Sequence, residues 1–435
     1  MSPRRFRVRR MLFRAFLLFV IAYVVWDRVE AYRLSRTIAA IAARGEPVRY
    51  ADAFPVPRTD EQRQASSLYA QAASFAREQA AEDNNRAGRL DVDKPGGTEL
   101  SLPDMIAFYR PDASAMQVLD QATPLDFGGF DPAERGVRDY ELSQLASQAF
   151  LRADLAAAQG DGEGAAAALV AAVRLQRTLS STLNRSLHAL RVLGSLRILL
   201  RHTQPTEKAL AALRHAFDSW PDNDRMLPEL LQERARFIET AENGMQPYAP
   251  ALARILFHPF ISRSGRNGIA SFEPAIAVAR LPLADRAAAI QSSAELRAYR
   301  PPPLWRFRMA GALFDPFPMA YAPTGLAQAK QELAARRVAV TAIAIERYRR
   351  GHAGAPPSDL TALLPAFLPA VPLDPLSMQP LIYRTDVGSY VIYSVDANRK
   401  DDGGELYGHG AAIAKHVGPQ SPRDLGIRVP VNAAR

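Results

Sequence analysis

From Ala15 to Trp26 the chain reads Ala-Phe-Leu-Leu-Phe-Val-Ile-Ala-Tyr-Val-Val-Trp without a charge, and this run decides which solvent the later residues meet. Counted from Met11 it holds sixteen residues, interrupted only by Arg14, whose stem can lie in lipid while its guanidinium reaches the headgroups. A bilayer span takes roughly twenty residues, with about seventeen as the lower end, and extension to Arg28 reaches that minimum. Tyr23 and Trp26 fall where an aromatic belt sits. Arg4, Arg5, Arg7, Arg9 and Arg10 precede the run and the first acidic residue is Asp27, so the positive-inside bias keeps the N-terminus in the cytoplasm. Residues 27–435 are then expected outside. A cleaved leader shares the charged start, but Ala22-Tyr-Val-Val-Trp-Asp27 places bulky residues where a signal peptidase takes small ones. The expectation is therefore an uncleaved anchor over residues 1–28, with the lipid bilayer as the partner of residues 11–28. The arginines set against the run speak against a buried core helix.

The chain has 435 residues, 48% of them hydrophobic, enough for sizeable cores. Its formal charge of +9 resembles a nucleic-acid signal until it is located: Arg4, Arg5, Arg7, Arg9, Arg10 and Arg14 carry six of those charges and leave +3 for the remainder. No nucleic-acid partner is expected. The absence of cysteine excludes disulfides, thiolate metal sites and cysteine nucleophiles together.

Beyond the anchor the helical pattern continues to Arg44 and stops at Gly45 and Pro47. Thr59-Asp-Glu-Gln62 has capping-box spacing and opens an alanine-rich helix to about Asp83, followed by a polar loop over 84–104. Residues 139–243 are the most regular part, with a helical hairpin turning at Gln159–Gly164 and further helices through Leu183–Ile198, Leu210–Phe217 and Leu227–Ile238. Between 245 and 323 proline and aromatic residues weaken the pattern, leaving one short helix around 283–298. A helix from about Thr324 to Arg350 is apolar nearly all round, and should be packed on more than one side. Then the period changes: Pro380–Arg384 and Ser389–Ser394 read as a hairpin, with Asp424–Val431 as a third, edge strand. The expected fold is mostly α, divided into the anchor at 1–28, an α-helical extracytoplasmic domain at 29–300, a Pro-rich linker at 301–323 and a small α+β module at 324–435.

The succession Ala344-Ile-Glu-Arg-Tyr-Arg349, Gly351-His352, Pro356-Pro-Ser-Asp-Leu360, Leu363-Leu-Pro-Ala-Phe-Leu-Pro369, Val371-Pro-Leu-Asp-Pro375, Leu381-Ile-Tyr383, Tyr390-Val-Ile-Tyr-Ser394 and Asp401-Asp-Gly-Gly404 resembles the C-terminal half of the major pseudopilins of type II secretion. The resemblance implies a helix leaning on a small antiparallel sheet, with a calcium site in the loop after the last hairpin strand. The chain departs from that family at its start, where Arg10-Met-Leu-Phe-Arg14 stands in place of a prepilin peptidase site, and in the long stretch between apolar run and sheet. It also resembles a group of single-pass bacterial envelope proteins through Arg44-Gly-Glu-Pro47, Leu68-Tyr-Ala-Gln-Ala72 and Ala158-Gln-Gly-Asp161, a group that brings no activity with it.

One loop carries candidate chemistry. Asp396-Ala-Asn-Arg-Lys-Asp-Asp-Gly-Gly404 gathers carboxylate and amide oxygens, the ligands a hard cation takes, and Asp396, Asn398, Asp401 and Asp402 are the candidate Ca²⁺ ligands. The same residues also favour a plain solvated turn. The loop does not match an EF-hand, and Arg399 and Lys400 lie inside it. No His-Glu-x-x-His, Gly-x-Ser-x-Gly, Ser-x-x-Lys, P-loop or dinucleotide fingerprint occurs. The charges at Glu229, Glu233, Arg236, Glu239 and Glu242 read as a solvated helix face. Together these features point to an interaction or scaffold protein of the bacterial envelope. Its expected setting is the inner membrane, beside a type II secretion or pilus-like assembly and in contact with envelope proteins. An extracytoplasmic, hydrolase-like enzyme with a site built from scattered residues is the alternative.

Overall fold

The computed structural model describes residues 3–53, 59–87, 111–129, 139–176, 179, 182–218, 226–243, 251–282, 285–286, 321–395, 398–406 and 424–431. Most of the expected 84–104 loop, nearly all of the expected short helix around 283–298 and residues 301–320 of the expected linker lie outside these. The chain is mostly helical with one small antiparallel sheet, and it divides into two compact units, each assembled from two separate stretches: Met1–Phe54 with Arg225–Thr324, and Pro55–Asp224 with Gly325–Arg435. This differs from the linear order read from the sequence, because each half recruits partners from far along the chain.

In the first unit α1 (Pro3–Ala43) packs along α9 (Ala251–Ala279), which in turn packs on α8 (Met226–Asn243). Leu34, Ile41, Phe237, Ile238, Ile269, Phe272 and Ile276 are buried. α1 and α9 run in the same direction, since Tyr23 meets Ile255, Trp26 meets Phe260 and Arg44 meets Glu273. Glycine permits the close approach of α8 to α9, because a Cβ on Gly268 would sit 2.2 Å from the Phe237 ring. α1 ends where expected, with Gly45 at φ +71°.

The continuous helix α9 corrects the sequence expectation for 251–279, where proline and aromatic residues weaken the helical pattern, since the helix runs through both Pro259 and Pro274. A proline removes the N–H that the carbonyl four residues earlier would accept. At Pro259 that carbonyl belongs to Ile255, and the Tyr23 hydroxyl supplies the missing donor, 2.8 Å from Ile255 O and 2.7 Å from Leu256 O. Among the described residues no helix is long and apolar enough to cross a membrane. α1 is 41 residues long, but its charge-free stretch between Arg14 and Asp27 spans only about 18 Å at 1.5 Å per residue.

The second unit combines α2 (Asp60–Ala87), α3 (Ala113–Ala122), α4 (Asp139–Ala158), α5 (Gly162–Gln176), α6 (Thr182–His202), α7 (Glu207–Asp218) and α10 (Tyr321–Gly351) with strands β1 (Ile382–Asp386), β2 (Ser389–Ser394) and β3 (Leu425–Pro430). The capping box at α2 is formed, with Gln62 N donating to Thr59 Oγ1 at 3.1 Å and Thr59 N to Gln62 Oε1 at 3.4 Å. The hairpin and the third strand are also as expected: β2 lies between β1 and β3, antiparallel to both, with Tyr383 opposite Ile392 and Tyr390 opposite Val429. Tyr390 to Ser394 are all buried, so the central strand is covered on both faces. α6 packs on β3, and one contiguous core joins Tyr69, Leu145, Leu169 and Leu213 to Ile343, Ile392 and Val429. The sheet therefore does not stand apart from helices α2–α7. Val338, Ala339, Ala342, Ile343, Ala344 and Ile345 of α10 are all buried, as the all-round apolar pattern requires.

Candidate functional site

Of the four residues read as calcium ligands, Asp396 lies outside the described residues, and the other three are engaged by donors of the loop and of the adjacent strands β1 and β2. Asp401 Oδ1 accepts from the Tyr393 hydroxyl and from Gly403 N, each at 2.9 Å, while Oδ2 accepts from Arg384 at 2.6 Å. Asn398 Nδ2 donates to Asp402 Oδ2 at 2.6 Å, and Asn398 Oδ1 accepts from Lys400 N at 2.9 Å. Slight burial pushes the Asp401 carboxyl up, but the Gly403 N–H, the Tyr393 hydroxyl and the Arg384 guanidinium outweigh it and hold the carboxyl below its ordinary range. Among the described residues no group of three or more acidic or histidine side chains is placed to hold a metal. As placed, these three side chains do not fit a cation cage, and Asp401 would have to leave Arg384 to join one.

Two aspartates to which the sequence pattern assigns no role close the loop. Asp374, 1% exposed, accepts from Leu376 N (2.8 Å), Ser394 Oγ (2.9 Å), Val395 N (3.0 Å) and Ser377 Oγ (3.2 Å), fixing the exit from β2. Asp424, fully buried at the entry to β3, accepts from Gly404 N at 2.8 Å and Asp402 N at 3.3 Å. Asp374 stands in the Val371–Pro375 motif, which marks its place but not its role. Asp424 is distant in sequence from the acidic cluster, and no local spacing marks it. A third tie holds the helix to the sheet: Glu346 of α10 accepts from the buried Tyr390 hydroxyl at 2.8 Å and from Arg349 at 2.7 Å, while Arg349 donates to Val431 O at 2.9 Å.

Burial pushes the Asp424 carboxyl up to about 6, with the charges of Asp402 and Asp401 adding to it and the Gly404 and Asp402 N–H groups opposing. A carboxyl raised in the folded state stabilises fully below its ordinary value near 3.8, and the contribution fades as pH rises through about 6. Relative to Asp424→Asn, the wild type is expected to lose on the order of 2 kcal/mol between pH 4 and pH 7. Melting of both proteins across that range checks it, and parallel curves would refute it. A second arm with Ca²⁺ at about 1 mM, where extracellular modules bind, is expected to leave the melting temperature unchanged. A rise that Asp401→Ala with Asp402→Ala abolishes would place an ion in the loop.

In the first unit the expected solvated stripe on α8 hides a different residue. Arg234 is fully buried and bridges two carboxylates, ion-pairing with Glu46 and donating to Glu273 at 2.9 Å. Arg44 binds Glu46 in bidentate fashion at 3.1 and 3.0 Å and reaches Glu273 at 3.1 Å, and Arg280 also ion-pairs with Glu46. The stripe itself is mixed: Arg236 and Glu242 are exposed, but Glu239 accepts from Tyr50 N at 2.9 Å. Burial pushes the Glu46 carboxyl up, but hydrogen bonds and charges from Arg44 and Arg234 overcome it and hold it at about 2. Glu46 belongs to the Arg44-Gly-Glu-Pro47 motif, whose role here is to close the end of α1 onto α8 and α9. Beside this network an open cavity of about 530 Å³ lies between α1 and α9, lined by Arg33, Arg36, Arg44, Arg266, Thr37 and Glu273. Its excess of guanidinium over carboxylate suits anionic groups.

The histidines assemble no site among the described residues. His352 stacks on Tyr348 with ring centroids 3.7 Å apart, and His258 Nδ1 lies 2.6 Å from Asp27. Comparison with protein-family models, with curated proteins and with solved structures found no match to this chain.

Proposed function

We propose that the protein is a membrane-anchored, extracytoplasmic interaction and scaffold protein of the bacterial envelope, set beside a type II secretion or pilus-like assembly. The observation that carries this reading is the bareness of α1. Met11, Phe13, Leu18 and Phe19 are each 66–67% exposed, and Phe16, Leu17, Val20 and Ile21 are exposed with them. Moving such side chains out of water is worth roughly 1.5–3 kcal/mol each when complete, so this surface calls for an apolar partner. A short charge-free stretch can be accommodated by local bilayer thinning, with Arg14 and Arg28 extending toward headgroups on either side. On the C-terminal side, the long α10 beside a three-stranded antiparallel sheet supports the pseudopilin-like reading of residues 324–435 at the level of architecture.

The enzyme alternative needs acidic or basic groups free to act on a substrate. The clustered carboxylates of Asp374, Asp401, Asp424, Glu46 and Glu346 instead hold backbone N–H groups, tyrosines or arginines. In-cell cross-linking of the tagged full-length protein, followed by identification of what co-purifies from the membrane, tests the proposal. Enrichment of secretion or pilus components is expected. Recovery of the protein alone would withdraw the scaffold role and favour the alternative.

A further inference from the structure

Outside α1, the densest group of large exposed apolar side chains among the described residues lies in the first half of α9. Ile255, Leu256, Phe257 and Phe260 are 64%, 48%, 38% and 51% exposed, whereas Ile261, Ile269, Phe272 and Ile276 farther along are buried. Ile255, Leu256, Phe257 and His258 are consecutive, so at about 100° per residue they cover nearly the whole circumference of the helix. Of these, His258 reaches α1, its Nδ1 2.6 Å from Asp27. There Tyr23 meets the carbonyls of Ile255 and Leu256, and Trp26 packs edge-on against Phe260 with ring centroids 4.7 Å apart. Because α1 and α9 are parallel, both bare segments point the same way, and burial begins on both at the same level, at Glu30 and Leu34 of α1 and at Ile261 of α9.

We infer that residues 255–260 of α9 enter the lipid interface beside α1, forming a second membrane-contacting element. The occupant is a bilayer rather than a protein groove for three reasons. The patch is continuous with the bare face of α1. Tyr23 and Trp26, residues of the kind that settle at the headgroup boundary, lie at the junction. No acidic residue occurs on α9 before Glu273, and while Arg33 and Arg266 pair with Glu30 of α1, the exposed Arg28, Arg36 and Arg263 follow on the wet side, where anionic headgroups would meet them. This inference rests on the proposed anchor, and the test separates the two.

The chain has no cysteine, so single cysteines can carry an environment-sensitive fluorophore on the full-length protein in liposomes containing spin-labelled lipid. Leu18→Cys reports on α1, Ile255→Cys and Leu256→Cys report on α9, and Val387→Cys, at a fully exposed position in the second unit, reports on water. Blue-shifted emission and severalfold stronger lipid quenching at 255 and 256 than at 387 are expected. Quenching at 18 with 255 and 256 behaving like 387 would overturn the α9 contact and leave the anchor standing. Quenching at 255 and 256 without quenching at 18 would keep the α9 contact and remove the anchor. Shielding of 255 and 256 from both the lipid quencher and aqueous iodide would mean that a protein surface covers them, which overturns the inference.

Discussion

Replacing Arg234 with methionine should destabilise the first unit by about 3–5 kcal/mol, the range for breaking a buried ion pair from one side. Arg234 is completely buried and is shared between Glu46 and Glu273, so its loss removes a charge partner from both. Arg280 also pairs with Glu46, but its side chain is 47% exposed, and Arg280→Ala should cost less than about 1 kcal/mol. Arg234→Lys should behave more like the methionine variant than like wild type, because a single ammonium cannot reproduce the planar fork that spans two carboxylates. Calorimetric melting of the three variants in detergent checks this order. Equal, small losses for Arg234→Met and Arg280→Ala would show that the buried bridge does not hold the unit together. Acid should weaken the same network: Glu46, held at about 2, contributes stability above its ordinary value near 4.5 that is lost as pH falls toward 2.

Asp374→Ala should cost about 3–5 kcal/mol in the second unit, because its carboxylate is the acceptor for two buried backbone N–H groups, at Leu376 and Val395, and each orphaned donor costs roughly 1–3 kcal/mol. The Ser394 and Ser377 hydroxyls lose their acceptor at the same time. Asp374→Asn should be intermediate, since one amide oxygen remains while the NH₂ faces donors. Hydrogen exchange resolves the effect by position, with faster exchange expected at Leu376 and Val395 in the alanine variant. Unchanged protection there would mean that the turn holds without the carboxylate.

Structure is legible in the sequence where local chemistry decides it. The Thr59–Gln62 box, the stop at Gly45, the turn at Gln159–Gly164 and the hairpin through β1 and β2 all follow from residues a few positions apart. What escapes depends on distant partners. α9 is obscured because Pro259 breaks a helical bond in any sequence window, and the hydroxyl that compensates sits on Tyr23. Arg234 is inconspicuous within a charged stretch because the carboxylates that pair with it in the interior come from Glu46 and Glu273. The acidic loop is conspicuous by composition, yet its closure relies on Asp374 and Asp424, one on each side of it in sequence. The two-unit division is the largest case, since α1 finds its packing partner more than two hundred residues later.

Alkaline carbonate extraction of membranes carrying the full-length chain tests the proposal that α1 holds the protein in a bilayer. The expected result is retention in the membrane pellet, with release when Leu17, Leu18, Val20 and Ile21 are changed together to serine. Quantitative release of the wild-type protein into the supernatant would show that α1 does not anchor it.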